Sequence, residues 1–506
     1  MPTVNGDDDF FHLGGTSLSA ALTAVELSRS TGKRITLADV LGNPGAVDLA
    51  RLIDERVQSP AAGVTVPGRG GRVSFDQERR LFRDAVTSSP GWRISLTYRL
   101  RGAVDVDRLG RAVRAVAQRH EALRMRLFID DLGVPGRAVA EIDGEVFSYC
   151  DDGEDFDGHH FDRARGVVFG VRLMRTGELS WLLLIELDHI VGDAYSTGIL
   201  LGDISRFYNA PASIAATDPP AQFGEFIERQ RARLEAPGEM ERHRAFWRDH
   251  LGDCLLDEWP AVLPADFPAR ADTRFIERHR GLSTAIGDQA MRHVVCLAAL
   301  NLTLAAMTGH HDHVVATPVS NRDDPAFADT IGWISSLVAV RTRWSTGAAS
   351  TSDLLRATRE AYLTAIENAL PWGEIIKTVR PDSYLGAPRQ PQVYFDFLGE
   401  DIAGALSLQD ITCTEIADGG YGGYVVFSML VTDGVQGCGA RVTASDAVFD
   451  EESTDRLLRA YACSLAWIVE RGDEPLAEAE RDVARHLLSA GPASPRAGST
   501  APATPA

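Results

Sequence analysis

Leu187-Asp188-His189-Ile190-Val191-Gly192-Asp193-Ala194-Tyr195-Ser196 decides how this 506-residue chain is read. It follows an apolar strand candidate, Leu182 to Leu187, and precedes the helical segment Ile199-Leu200-Leu201. His189 therefore sits at a strand end, where a side chain can face a cleft. An imidazole with an unperturbed pKa of about 6.5 can exchange or accept protons there at neutral pH. Taken alone, the same histidine also fits a hydrogen-bonded loop.

Around this stretch, helix-like runs such as Val104 to His120 and Asp353 to Ala369 alternate with strand candidates such as Leu182 to Leu187 and Leu337 to Val340. The mixture reads as α/β or α+β, and its length asks for two lobes dividing near Glu235 to Asp257. Upstream, Val57 to Gly71 is rich in turn formers and poor in large apolar side chains, as a linker is. Downstream, 491–506 is almost entirely Gly, Pro, Ala, Ser and Thr and cannot build a core, so a disordered tail is expected.

Composition narrows the function classes. The 71 acidic against 51 basic side chains leave a formal net charge of −20, a field that repels nucleic acid and anionic membrane. Cys150, Cys254, Cys296, Cys413, Cys438 and Cys463 lack paired spacing, which argues against a disulfide framework or a zinc site and fits a reducing cytosol. No apolar run reaches membrane-spanning length, and the acidic start is unlike a signal peptide. A soluble cytoplasmic protein is expected, with no metal.

Near the start, Asp8-Asp9-Phe10-Phe11-His12-Leu13-Gly14-Gly15-Thr16-Ser17-Leu18 places a serine directly after a two-glycine turn. Leu18, Leu22, Val25 and Leu27 then approximate helical spacing until Gly32, so Ser17 stands near a helix N-terminus, where backbone N–H groups and the dipole favour a phosphate. A serine helix cap fits the short pattern equally well.

The longer pattern resembles the signature of acyl and peptidyl carrier domains, whose serine carries 4'-phosphopantetheine. Ile35 to Leu41, Asn43-Pro44 and the helix-like run Ala46 to Ile53 resemble the rest of that small all-α fold. Only Met1 to Gly6 precede the signature where such domains have a first helix, so the chain is expected to begin inside a truncated carrier domain.

The larger region resembles the condensation domains of nonribosomal peptide synthetases. Ser74-Phe75-Asp76-Gln77-Glu78-Arg79-Arg80-Leu81 matches the opening Ser-x-x-Gln-x-Arg-Leu-Trp pattern, Arg80 and Leu81 departing from its last two residues. Arg119-His120-Glu121-Ala122-Leu123-Arg124, Pro318 to Arg322, Ile331-Gly332-Trp333 and Pro391 to Phe395 match four further segments in order. The resemblance implies an α/β, two-lobed fold similar to chloramphenicol acetyltransferase, with carriers delivering thioesters to a tunnel between the lobes. The implied division is a carrier over 1–57, a linker over 58–72, an N-lobe over 73–245, a C-lobe over 246–490 and the tail over 491–506.

The family core is His-His-x-x-x-Asp-Gly. Aligned on it, His189 keeps the catalytic or substrate-orienting histidine, Asp193 is structural and pairs with Arg322, and Ser196 stands beside them. Asp188 replaces the first histidine and Ala194 the glycine. Ala194 keeps an N–H that can face a developing oxyanion if its backbone does not require a glycine-only conformation. The Asp188 carboxylate either raises the pKa of His189, weakening it as a base, or only replaces a structural hydrogen bond.

The implied activity is amide formation between a thioester on Ser17 and an amine. The implied partners are a phosphopantetheinyl transferase, an adenylation enzyme acting in trans, and an acceptor carrier protein or soluble amine. Two alternatives remain open: a catalytically silent condensation fold acting as a docking platform, and heterocyclization, whose Asp-x-x-x-x-Asp-x-x-Ser motif fits Asp188, Asp193 and Ser196. Asp396 stands where the heterocyclization relatives carry a threonine, and Pro318 where epimerization relatives carry a glutamate. His159-His160 is expected on a surface loop. His310-His311-Asp312-His313 is expected in a solvated turn, because adjacent ligands on a short turn rarely close a tetrahedral metal site.

Overall fold

The computed structural model describes residues 23, 27, 30, 31, 33, 35, 37–56, 71–87, 92–129, 134–142, 146–151, 158–216, 218–253, 275–284, 286, 291–345, 349–379, 393–399, 406–418, 427–434, 437–446 and 448–488. Ser17, Cys254, most of the linker and the 491–506 tail lie outside the described residues.

Among the N-terminal residues, helices α1 (Leu37–Gly42) and α2 (Ala46–Glu55) bury Val40 and Ile53 together with Ile35. Lys33 Nζ donates to the carbonyls of Ile53 and Asp54 at 2.7 and 3.1 Å, putting a cation on the C-terminal end of α2. Helix α1 packs against α9 (Thr351–Glu367).

The first lobe is built on a five-stranded sheet in the order β12-β2-β7-β6-β5, where β12 is Thr412–Asp418. Its centre is β7 (Ser180–Asp188), whose run Leu183 to Asp188 is buried throughout and pairs antiparallel with β2 (Arg93–Arg101) and β6 (Phe169–Gly177). β5 (Phe147–Cys150) adds in parallel to β6. Helix α4 (Val106–Arg119) buries Leu109, Ala112, Val113, Val116 and Ala117, the stripe its 3.6-residue period demands, and packs on α5 (Ala194–Asn209). A small sheet of β1 (Gly71–Arg72), β4 (Pro135–Val139) and β3 (Met125–Ile129) flanks the lobe, so the linker expected over 58–72 gives way to paired strand at Gly71.

The second lobe carries a six-stranded sheet in the order β10-β9-β11-β13-β14-β8. Here β8 is Phe275–Gly281, β9 Asp312–Val319, β10 Ser336–Arg343, β11 Val393–Gly399, β13 Phe427–Gly434 and β14 Gly437–Ser445. One face is covered by α8 (Arg292–Thr308), α9, α11 (Glu451–Glu470) and α12 (Leu476–Leu488). Residues His293 to Ala305 of α8 are all buried, as befits a helix wedged between a sheet and other helices.

The sequence division at 245/246 is crossed twice. Helix α6 (Phe223–Leu234) gives Phe223, Phe226 and Ile227 to the first core and Leu234 to the second, and Trp247 of α7 (Glu239–Leu251) is fully buried in the second. In the other direction, β12 (Thr412–Asp418) leaves the second lobe to complete the edge of the first sheet against β2, bringing Leu406 and Leu408 into the first core. A third tie is Asp76 on α3 (Phe75–Thr87), whose carboxylate accepts from Ser336 Oγ at 3.3 Å and from Gly373 N–H at 3.2 Å, at the start of α10 (Trp372–Val379).

Candidate active site

β7 ends at Asp188, and His189–Val191 form a single 3₁₀ turn before Asp193 starts α5. The turn is held from three sides. Asp188 Oδ1 accepts from Ile190 N–H at 3.1 Å, and the His189 N–H donates to the Trp92 carbonyl at 2.9 Å. From α3, buried Gln77 donates through Nε2 to the Ile190 carbonyl at 2.9 Å. Gln77 is itself fixed by a reciprocal cap with Ser74, each side-chain oxygen accepting the other's backbone N–H at 3.1 Å. The opening Ser-x-x-Gln motif thus works as a clamp on the histidine turn.

Asp193, 2 % exposed, caps α5 and spans the lobes. Its Oδ1 accepts from Ser196 N–H at 2.9 Å, and its Oδ2 accepts from Ile334 and Ser335 N–H at 3.0 and 2.8 Å. Arg322, also 2 % exposed, places Nη2 3.3 Å from Asp193 Oδ1 and donates through Nη1 to the carbonyls of Phe327 and Thr330 at 2.8 Å. Ser196 Oγ lies 2.7 Å from Asp193 Oδ1 and 2.9 Å from the Gly332 carbonyl, and accepts from Gly332 N–H at 3.1 Å. A Cβ on Gly332 would fall 2.4 Å from Phe223 Cδ2, so the loop approaches this closely only as glycine. Arg322 and these donors hold the Asp193 carboxyl below the usual carboxylate range against the opposing effect of burial.

The His189 ring stands edge-on to Trp333, centroids 5.1 Å apart, and to Trp92 at 5.9 Å. Burial drives its pKa down, outweighing the upward pull of Asp193 and Asp188, so the ring is neutral at pH 7 and able to accept a proton. Asp188 does not hold it protonated, because its carboxylate is taken by Arg163: Nε donates to Oδ2 at 2.6 Å and Nη2 to Oδ1 at 3.2 Å. The Asp188 carboxylate is thus engaged by one guanidinium and one backbone N–H. Arg163 also reaches Asp84 at 2.6 Å, which accepts from Arg80 Nε at 2.7 Å, and Arg80 lies 4.7 Å over the Trp92 ring. The departure at Arg80 belongs to this network.

Ala194 occupies the first turn of α5, and the positive-φ non-glycine residues among those described are Met291, Asn321 and Asp410. The backbone there does not require glycine.

The other singled-out residues are placed differently. His159 is 9 % exposed, and its Nδ1 lies 3.1 Å from Glu186, correcting the surface-loop reading; His160 beside it is exposed. Glu186, inside the first sheet, is met by His159, Ser95 and Arg93, which together lower its carboxyl to about 2 against the effect of burial. The expected turn at His310–His313 is partly strand: Asp312 and His313 begin β9, Asp312 pairs with Arg341 at 2.6 Å, and His311 meets Glu480 at 3.1 Å. Among the described residues, ligand-type atoms of Cys463, Asp482 and His486 on α11 and α12 lie within 4.8 Å of one another, although the cysteines carry no such signal in their spacing. Sequence reasoning passed over Arg163 and Trp92, whose roles depend on partners distant in the chain, and quoted Trp333 without giving it a role.

The "Condensation domain" family matches residues 72–395 and the "Phosphopantetheine attachment site" family matches residues 2–53. The chain belongs to the condensation-domain family. Among curated relatives, this condensation-family chain is 29 % identical over 437 residues to the cyclosporin synthetase of Tolypocladium inflatum, covering 80 % of this chain and 3 % of that protein. It is 27 % identical over 447 residues to the beauvericin nonribosomal cyclodepsipeptide synthetase of Gibberella fujikuroi, covering 82 % and 14 %. It thus spans a small fraction of either relative. The condensation domain of the monacolin K polyketide synthase superposes with a TM-score of 0.67 at 19 % identity, covering 80 % of this chain and 99 % of that one. The X-domain from teicoplanin biosynthesis gives 0.67 at 20 % identity, covering 82 % and 98 %. The condensation fold carries an N-terminal carrier segment whose family binds phosphopantetheine covalently. No helix among the described residues is long and apolar enough to cross a membrane.

Proposed function

We propose that this chain is a carrier plus condensation unit of a nonribosomal peptide pathway, joining an acyl or peptidyl group carried at Ser17 to an amine as an amide. The observation that supports this most is a neutral His189, set between Trp92 and Trp333 beside the lobe junction and clamped by Gln77. His189 accepts or orients the proton of the incoming amine, and the Asp193–Arg322 pair holds the junction at which the reactants meet. Ala194 retains a backbone N–H at the start of α5 that can serve a developing oxyanion.

Phosphopantetheine, when attached to Ser17, supplies a flexible arm ending in the thiol that carries the acyl group. The helical state of Thr23, Leu27, Ser30 and Thr31 agrees with a helix following Ser17, the setting that favours a phosphate. A phosphopantetheinyl transferase, an adenylation enzyme and an acceptor carrier or free amine complete the proposal, with the reaction in the cytoplasm. We propose the unit boundaries 1–57, 58–70, 71–234 with 406–418, and 235–488 without 406–418, followed by the tail.

Intact-protein mass spectrometry after treatment with a phosphopantetheinyl transferase and coenzyme A tests the carrier half, by a single addition lost in Ser17→Ala. Amide release from the acylated chain on adding an amine, abolished in His189→Ala, tests the other half. A loaded chain that never forms amide favours the silent platform, and a product lighter by a further water favours heterocyclization.

A further inference from the structure

Asp396 is a buried acid that the reaction above does not use. On β11, Val393, Phe395 and Phe397 are buried toward the helical layer, where the His293 ring stands 5.2 Å from that of Phe395. Strand alternation puts Asp396 on the opposite face, with Tyr394 and Leu398. β11 runs parallel to β9 with Tyr394 opposite Ala316, so Asp396 lies level with Pro318. β9 leads on to Arg322, and its neighbour β10 begins just after Ser335. Arg322 and Ser335 are two of the groups that hold Asp193. At about 4.8 Å per strand, Asp396 is roughly 10 Å across the sheet from the strand that opens at the lobe junction.

Tyr394 and Leu398 on that face, and Ser428 and Leu430 on adjacent β13, are half-buried, whereas Asp396 is 9 % exposed. Its oxygens accept from Tyr394 OH at 3.2 Å and from Phe397 N–H at 2.8 Å, both neutral donors. Among the described residues no cation pairs with it. Burial raises its pKa to about 6, which still leaves it predominantly ionised at neutral pH. A lone carboxylate held this way is complementary to a cation, and a net charge of −20 draws cations toward the protein.

We propose that Asp396 is a subsite for a cationic group of the acceptor other than the nitrogen that reacts, an inference that rests on the condensation reading. The distinction follows from the chemistry. The attacking nitrogen must be neutral, and a carboxylate that pairs with an ammonium keeps it protonated. The nitrogen that loses its proton belongs at His189, and a second ammonium belongs at Asp396. The acceptor class is therefore a diamine or an amine bearing a basic side chain.

The test uses the full chain with butylamine and 1,4-diaminobutane as probes. In calorimetric titrations the wild type binds the diamine roughly tenfold more tightly than Asp396→Asn does. A wild type that does not bind the diamine overturns the subsite whether or not the variant folds, as does a folded variant that binds it as tightly. With the acylated chain, absence of amide from either amine overturns the condensation reading, whereas amide formed without diamine preference overturns only the subsite.

Discussion

Arg163 Nε donates to Asp188 Oδ2 at 2.6 Å, one residue before His189. Asp188 still pulls the His189 pKa upward from the neighbouring position, but burial outweighs that pull. Asp188 is 2 % exposed, so Asp188→Ala leaves Arg163 beside Asp84 without its second anion. A loss of about 3–5 kcal/mol in urea-induced unfolding is expected. Asp188→Asn, which can still accept from Ile190 N–H, should recover part of it.

Asp193→Asn tests the junction. One carboxylate oxygen takes two backbone N–H groups from the far lobe while the other faces Arg322, so an amide must turn an NH₂ toward donors on one side. Condensation should be lost and unfolding should become easier by about 3–5 kcal/mol, the penalty of an unpaired buried guanidinium. A variant as stable as the wild type would show that the lobes are held together elsewhere.

The lowered pKa of His189 sets the sign of the pH profile. As pH falls through the ordinary histidine value of about 6.5, the folded ring stays neutral, so amide formation should persist there and decline only at lower pH. His189→Ala should reduce the rate by about 10²–10⁴ at pH 7 with an unchanged melting transition. A wild-type rate that halves near pH 6.5 would contradict the burial argument.

Gln77→Ala removes both the cap on α3 and the donor to the Ile190 carbonyl. The loss should be about 1–3 kcal/mol, read from chemical denaturation, with a lower condensation rate because the His189 turn is no longer clamped.

His293 lies fully inside the second lobe, where burial depresses its pKa to about 3. Between about 6.5 and that value the unfolded chain binds a proton that the folded chain does not, so stability falls on acidification by up to ~1.4 kcal/mol per pH unit. Asp76 and Asp396, both raised to about 6, act in the opposite sense between that value and the ordinary carboxylate range. His293→Gln should flatten the fall between pH 6.5 and 4 measured by thermal unfolding, and an unchanged slope would count against the assignment.

Much of the fold was legible because its signals are local. The run Leu182 to Leu187 lies in β7 and is buried from Leu183 on, and the helix read over Asp353 to Ala369 is α9 over Thr351–Glu367. The order of short motifs pointed to the condensation family. These features follow from periodicity, capping and residue type, which act over a few neighbours.

Residue order alone was enough to read a strand, a histidine turn and a helix in succession, and a carrier segment ahead of them. Only the tertiary structure decided what those residues experience. Arg163 neutralises Asp188, Trp92 and Trp333 flank His189, β12 crosses into the first sheet, and His159 turns inward to Glu186. Each depends on groups brought together from distant parts of the chain, and charge state and burial are properties of that assembled surrounding, for which no local pattern exists.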